Sequence, residues 1–437
     1  MIKINFFNDL INSLFDKPNK KKSFNFFSDK KKILSTKDFI DNVALAKGEV
    51  SALGYAEFLM QHCEKLDEKE LIIFFKLMRE NFDISSLELS QAVDEYKVNS
   101  NSENLITLMK FSEPKRREIF RRCNGISRGT IRLVNLRKRL LGILKKNPEL
   151  KAVDYDLVYL LKNWFNRGFL ILRPINWETP AHILEKIIAY EAVHEINSWD
   201  ELRLRLAPKD RRCFAFFHPA MQDEPIIFVE VALMKNIPSK IQDVLEEKRD
   251  FLEPDEANVA VFYSISNCQK GLSGISFGNF LIKQVANAIR TDYPNIKDFV
   301  TLSPVPGFMD WLELNNNELF KSIDNGQFIN ETDEYKDDIL KNSLDYFFNS
   351  ERDDKLPNDS VARFHLGNGA YLHRINFLGD LSNKALNSAA GLMVNYKYDL
   401  DKIEENHEEF FKEKSIICSN EVQLMKKNYY NKKLKFG

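Results

Sequence analysis

The sequence predicts an α+β protein: an all-helical N-terminal domain over residues 36–165, then a mixed α/β domain over 166–437, the whole preceded by a basic, flexible leader, 1–35. Three observations carry this. From Thr36 to about Phe165 apolar residues recur at three- and four-residue spacing, without strand-like alternation. After Asn166-Arg167-Gly168 the runs CFAFFHP, PIIFVEVALM and NVAVFYSIS, rich in Phe, Val and Ile, alternate with helical stretches. The length of 437 residues exceeds what one hydrophobic core usually serves.

Composition narrows the function classes. The chain is 44% hydrophobic, 12% aromatic and 29% charged, which excludes global disorder. Its 63 basic and 64 acidic residues leave a formal charge of −1, so the chain as a whole has no electrostatic bias toward nucleic acid or membrane. No window of about 18 apolar residues occurs, so no membrane-spanning helix is expected. Cys63, Cys123, Cys213, Cys268 and Cys418 are scattered without a CxxC pair, which points to a reducing compartment and gives no metal-ligand spacing. The leader clusters lysines around Phe-rich patches but has no continuous apolar core or small-residue cleavage site.

The elements follow in order. Ser35-Thr36-Lys37-Asp38 and Ser85-Ser86-Leu87-Glu88 each place an acid three residues after a capping serine, a helix-start signature. Lys115 to Lys146 holds twelve basic residues and one acid, Glu118. Such a run is either a phosphate- or nucleic-acid-binding face, or a solvated helical face that meets an acidic surface elsewhere. With no aromatic interleaving for base stacking, the second is expected and nucleic acid is not an expected partner. Pro180 opens the helical stretch AHILEKIIAYEAVHEI. Residues 258–312 read as strand, glycine-bearing turn, amphipathic helix and second strand, broken at Ser303-Pro304-Val305-Pro306-Gly307. Residues 313–358 are an acidic, Asn-rich helical insertion without a chemical signal. Strand-like YLHRINFLG and GLMVNYKY come next, then a capping helix with a Lys-rich tail.

Two turns carry chemistry. Gln269 to Asn279 lies between a strand and a helix, and its glycines let the backbone approach a ligand while the helix N-terminus offers free N–H groups to phosphate oxygens. The spacing matches neither the dinucleotide-binding nor the P-loop pattern. At the second turn, Ser303 follows the β run FVTL and precedes two prolines, which hold the backbone extended and display the hydroxyl at a strand end. Downstream, His365 lies between Phe364 and Leu366, beside the tight turn expected at Gly367-Asn368-Gly369. By themselves these residues specify a ligand-binding α/β enzyme and no more.

The blocks HPAMQDEPIIFVEVAL, VFYSIS with QKGLSGISFGNFLIK, LSPVPGFMDWL, ARFHLGNGAYLHRIN and GLMVNYKY resemble, in order and content, the malonyl-CoA decarboxylase family over about residues 166–400. The resemblance implies an acetyltransferase-like (GNAT) catalytic domain, and a helical domain used for assembly into a homo-oligomer, a dimer or tetramer. It implies malonyl-CoA as substrate, with no metal and no cofactor beyond the CoA of the substrate itself. It assigns catalysis to Ser303 and His365, and CoA contact to Ser273, Gly274, Ile275, Ser276, Phe277, Gly278 and Asn279. The segment between Trp311 and Val361 is shorter than in the longer animal members, and the absence of targeting signals implies a cytoplasmic enzyme. His218, Asn368, Tyr396 and Arg374 are secondary candidates: His218 as pocket lining or core, Asn368 and Tyr396 to orient the pair or the carboxylate, Arg374 to meet that carboxylate or lie on the surface. Two other readings stay open, a GNAT-type CoA-dependent acyltransferase and a non-catalytic malonyl-CoA sensor or scaffold.

Overall fold

The computed structural model describes residues 34–275, 281–323, 327–330 and 332–436. The chain forms two compact units: one holds the chain up to Trp164 together with Lys270–Ile275, the other Phe165–Gln269 together with the chain from Ser276 onward. The leader lies outside the described residues except for its last two.

The helical unit is built from α1 (Thr36–Leu45), α2 (Glu49–Lys65), α3 (Glu68–Asn81), α4 (Ser86–Val98), α5 (Ser102–Phe111), α6 (Lys115–Asn124), α7 (Gly129–Ile143) and α8 (Lys151–Trp164). Both helix starts read from the sequence are present. Ser35 and Asp38 form a reciprocal capping box on α1, and the Ser85 hydroxyl accepts from the Glu88 N–H at 3.4 Å on α4. The spacing of apolar residues resolves into one core that includes Ile40, Leu59, Phe74, Phe75, Phe120, Leu133 and Leu157. Most guanidiniums of the basic run are spent on acids and carbonyls inside this unit rather than on an acidic surface elsewhere, while Lys115, Arg128, Lys138, Lys145 and Lys146 are exposed. Arg116 and Arg117 each donate through Nε to Asp156 at 2.6 Å; Arg132 bonds Glu57 and Glu64, Arg137 bonds Asp154, and Arg139 donates to the Cys63 and Leu66 carbonyls.

The second unit is a mixed α/β domain around an eight-stranded sheet of order β1-β2-β3-β4-β5-β8-β6, with β7 also paired to β8. The strands are β1 (Ile171–Ile175), β2 (Arg211–Phe217), β3 (Ile227–Met234), β4 (Val259–Asn267), β5 (Asp298–Thr301), β6 (Ser303–Pro304), β7 (Tyr371–Asn376) and β8 (Met393–Tyr398). The helices, in order, are α9 (Ala181–Tyr190), α10 (Trp199–Leu206), α11 (Gln242–Leu245), α12 (Leu281–Asp292), α13 (Phe308–Asn315), α14 (Asn317–Ile323), α15 (Thr332–Phe348), α16 (Ser360–Gly367), α17 (Asn383–Ala389), α18 (Ile403–Glu413) and α19 (Asn420–Phe436). The tail is therefore two helices rather than the single capping helix read from the sequence.

Among the described strands only β4 and β5 pair in parallel, and α12 crosses between them, burying Leu281, Ile282, Val285, Ala286 and Ile289 along one face. Their pairing runs from Val259–Asp298 to Phe262–Thr301, whereas β4 continues to Asn267. The carboxyl end of β4 is thus released from β5 where Ser303 begins, the end of a parallel pair at which α/β sheets bind ligands. Alternation sorts the side chains: Val300 and Leu302 enter an apolar cluster with Val259, Val261 and Met393, while Thr301 and Ser303 turn to the opposite face.

Candidate active site

Ser303 is held on β6 by pairing with Val394 of β8. The motif ends at Gly307, whose φ of +85° lies in the left-handed region that a side chain disfavours, and α13 starts there. His365 lies in the last turn of α16, an eight-residue helix the sequence reading did not recognise. Asp359 caps its start, accepting from the Ala362 N–H at 2.7 Å, and the Asn368 amide donates to the Phe364 carbonyl at 2.6 Å at its end. The chain then turns at Gly369, with φ +82° and so close to Ile403 that a Cβ would collide with its carbonyl. Between these two caps His365 is fixed.

The structure brings Ser303 and His365 together, with Oγ and Nε2 3.0 Å apart. Ser303 is not displayed as the two prolines suggested. It is 6% exposed, because its side chain turns inward against His365 and Thr301. The Ser303 hydroxyl donates to Thr301 Oγ1 at 2.9 Å, and His365 Nδ1 lies 2.8 Å from the Tyr398 hydroxyl. Tyr396 stacks on the imidazole, with ring centroids 4.8 Å apart, and its own hydroxyl is buried without a hydrogen bond among the described residues. Burial pushes the His365 pKa down to about 3, so the ring is neutral.

These contacts set the direction of the protons. A buried phenol needs an acceptor, and His365 Nδ1 is the one beside Tyr398, so Tyr398 donates and the ring proton resides on Nε2. Nε2–H then donates to Ser303 Oγ, and the serine proton goes on to Thr301. This order does not suit a serine awaiting deprotonation by its histidine. It suits an imidazole holding a proton ready to deliver. Tyr398→Phe is expected to lower kcat about 10- to 100-fold by releasing this tautomer, a magnitude typical of partners that orient an imidazole. A kcat within about twofold of wild type would contradict it. In either protein the kcat profile is expected to show no inflection near pH 6.5 from His365, since the ring stays neutral down to about 3.

The remaining candidates fall as follows. Arg374 donates to Asn395 Oδ1 and to the Ile237 and Pro238 carbonyls, and Asn395 in turn donates to the Thr301 carbonyl at 2.8 Å. Arg374 therefore braces the strand beneath Ser303. His218 has the core role: its ring packs on Phe165 and Phe169, and Nδ1 accepts from the Ala220 N–H. In the first turn, Lys270–Leu272 forms a short 3-10 helix, Ser273 and Gly274 are exposed, and Ile275 is buried. Gly271 packs so closely on α7 that a Cβ would strike the Val134 carbonyl, and Arg137 donates to the Gly271 and Ser273 carbonyls at 2.6 and 2.9 Å. Ser276, Phe277, Gly278 and Asn279 lie outside the described residues. Sequence reasoning missed Thr301 and Tyr398, since a threonine and a tyrosine in strands read as ordinary β residues; the only signal was their two-residue offset from Ser303 and Tyr396. Among the described residues no group of three His, Cys, Asp or Glu side chains could hold a metal ion.

A buried, neutral histidine–serine pair beside the released carboxyl end of a parallel strand pair is an arrangement suited to proton transfer in an α/β enzyme. Comparison with known proteins is more specific. Residues 168–435 match the malonyl-CoA decarboxylase C-terminal domain and residues 82–165 the N-terminal domain of the same family. The mitochondrial malonyl-CoA decarboxylase of Anser anser anser is 34% identical over 348 residues, 71% of this chain and 69% of that protein. The corresponding protein of Rattus norvegicus is 32% identical over 347 residues, 71% of this chain and 70% of its own. The crystal structure of malonyl-CoA decarboxylase from Agrobacterium vitis is similar with a TM-score of 0.85 and 45% identity, covering 89% of this chain and 99% of that one. That from Rhodopseudomonas palustris gives 0.84 and 43%, with the same coverage. The chain belongs to the malonyl-CoA decarboxylase family.

Proposed function

We propose that the protein converts malonyl-CoA to acetyl-CoA and CO2 through a thioester enolate, without metal or organic cofactor. The supporting observation is the chain of contacts Tyr398–His365–Ser303–Thr301, from which a proton on His365 Nε2 follows. Cleavage of the bond between C2 and the free carboxylate leaves its electron pair on C2, and the thioester carbonyl takes it up as the enolate. The Ser303 hydroxyl, turned from Thr301, donates to the enolate oxygen, and His365 Nε2–H delivers the proton that forms the new C2–H bond. As Nε2–H leaves, the Tyr398 hydroxyl proton passes to Nδ1, so the ring is not left as an imidazolate. The phenolate then recovers a proton from solvent, so one proton is consumed per turnover. The turn Ser273–Asn279 is read as the contact for the CoA moiety.

Malonyl-CoA incubated with purified protein, with no acyl acceptor, is expected to give equal amounts of acetyl-CoA and CO2 at a rate indifferent to a metal chelator. Acyl transfer that requires an amine acceptor, or tight binding without turnover, would replace this reading with one of the two alternatives.

A homo-oligomer belongs to the same reading. It is supported by α5, which buries no residue and exposes Ile106 and Met109, 65% and 64% accessible. Sedimentation as a monomer would remove it. A cytoplasmic location is supported by the five cysteines, all free; cell fractionation tests it. No helix among the described residues is long and apolar enough to cross a membrane.

A further inference from the structure

We propose that Tyr346, on α15 within the insertion, is a positioning residue that fixes the separation of Ser303 and His365 by tying the loop after Ser303 to the start of the His365 helix. The inference rests on the reading of Ser303 and His365 as the reacting pair.

The geometry is specific. The Tyr346 hydroxyl lies 3.1 Å from the Pro306 carbonyl, three residues beyond Ser303, and 3.3 Å from Asp359 Oδ2. Asp359 uses its other oxygen to cap α16 through the Ala362 N–H, and α16 carries His365 in its last turn. One phenol thus joins the two segments that the catalytic hydrogen bond must bring to 3.0 Å across 62 residues of sequence.

The surroundings hold the phenol in place. Its ring packs against Phe308, Trp311 and Phe347, with centroids 5.7, 5.5 and 5.6 Å away. Gly307 leaves room for the hydroxyl, since a Cβ there would lie 3.3 Å from it. A phenol has a single proton for two acceptors, so when Asp359 is ionised both oxygens compete for that proton. Burial pushes the Asp359 carboxyl up to about 6, so a protonated Asp359 can itself donate to the phenol and leave the phenol's proton wholly to Pro306. In either form the hydroxyl is the shared atom. An apolar ring of the same shape would fill the cluster equally well, so packing alone does not account for a tyrosine here.

Tyr346→Phe separates the two roles, because it keeps the ring and removes only the link. The expected result is a kcat about tenfold lower, consistent with the sensitivity of rates to small misplacements of reacting groups. KM for malonyl-CoA should stay within about twofold of wild type. The melting temperature should stay within about 3 °C, as loss of one partly shared hydrogen bond implies. Asp359→Asn retains an acceptor for the α16 cap while weakening the same link, and combined with Tyr346→Phe it should cost much less than the product of the two single losses. Unchanged kcat in Tyr346→Phe, or multiplicative losses in the double variant, would overturn the inference. Wild-type protein and Ser303→Ala are assayed alongside. If the wild type does not turn over malonyl-CoA, or Ser303→Ala still does, the underlying reading fails instead.

Discussion

Ser303→Ala and His365→Ala are each expected to lose at least about a hundredfold in malonyl-CoA turnover while binding CoA as before, given that one oxyanion donor contributes about 10²–10³ and one general acid about 10²–10⁴. The two losses have different physical origins. Without Ser303, Nε2–H has no acceptor in its resting position and the enolate oxygen has no hydroxyl donor. Without His365, the proposed proton source is gone and Tyr398 and Ser303 lose a shared buried partner. In the proposed mechanism both groups act on one transition state, so the double variant should be little worse than either single one. Steady-state rates with malonyl-CoA and equilibrium binding of CoA measure this directly. Near-wild-type turnover in either single variant would remove that residue from the mechanism.

The largest effect on stability is expected far from the chemistry, at Asp156. The residue is 1% exposed, and its carboxylate takes Nε–H bonds from Arg116 and Arg117, both at 2.6 Å. Asp156→Ala leaves the buried Arg116 with only Asp83, 3.0 Å from Nη1 but without hydrogen-bond geometry. Breaking a buried pair by removing one partner typically costs about 3–5 kcal/mol, because the other charge stays behind uncompensated. Urea unfolding followed by circular dichroism should show a loss of that size. A loss below about 1 kcal/mol would mean that water reaches the two arginines.

Much of the architecture was legible in the sequence, for reasons visible in single residues. The caps at Ser35 and Ser85 are local, as is the apolar spacing of the helical unit, and local signals survive into the fold. The strand–turn–helix–strand order around Ser303 was equally clear. Ser303 and His365 were legible only as parts of motifs, and their meeting depends on β8 and α16. Tyr398 and Tyr346 were invisible because an aromatic residue in a strand or on an apolar helix face reads as core until the atom beside its hydroxyl is known. The basic run misled because its partners are remote: Asp154 and Asp156 follow it in the chain, while Glu57 and Glu64 lie two helices or more before it. The inward turn of Ser303 was hidden for the same reason, since His365, which covers it together with neighbouring Thr301, comes from 62 residues away.

The grip of Arg137 and Val134 on the glycine turn bears on how such a protein can be inherited. Chain order suggests two modules joined at Trp164, but six residues of the later stretch, Lys270–Ile275, are folded by the earlier one. Recombination at that junction would leave the turn with a foreign helical bundle, which would have to supply both a guanidinium for two carbonyls and a helix surface that tolerates a bare glycine. The turn is therefore part of the helical unit's fold although it lies more than a hundred residues downstream in the chain.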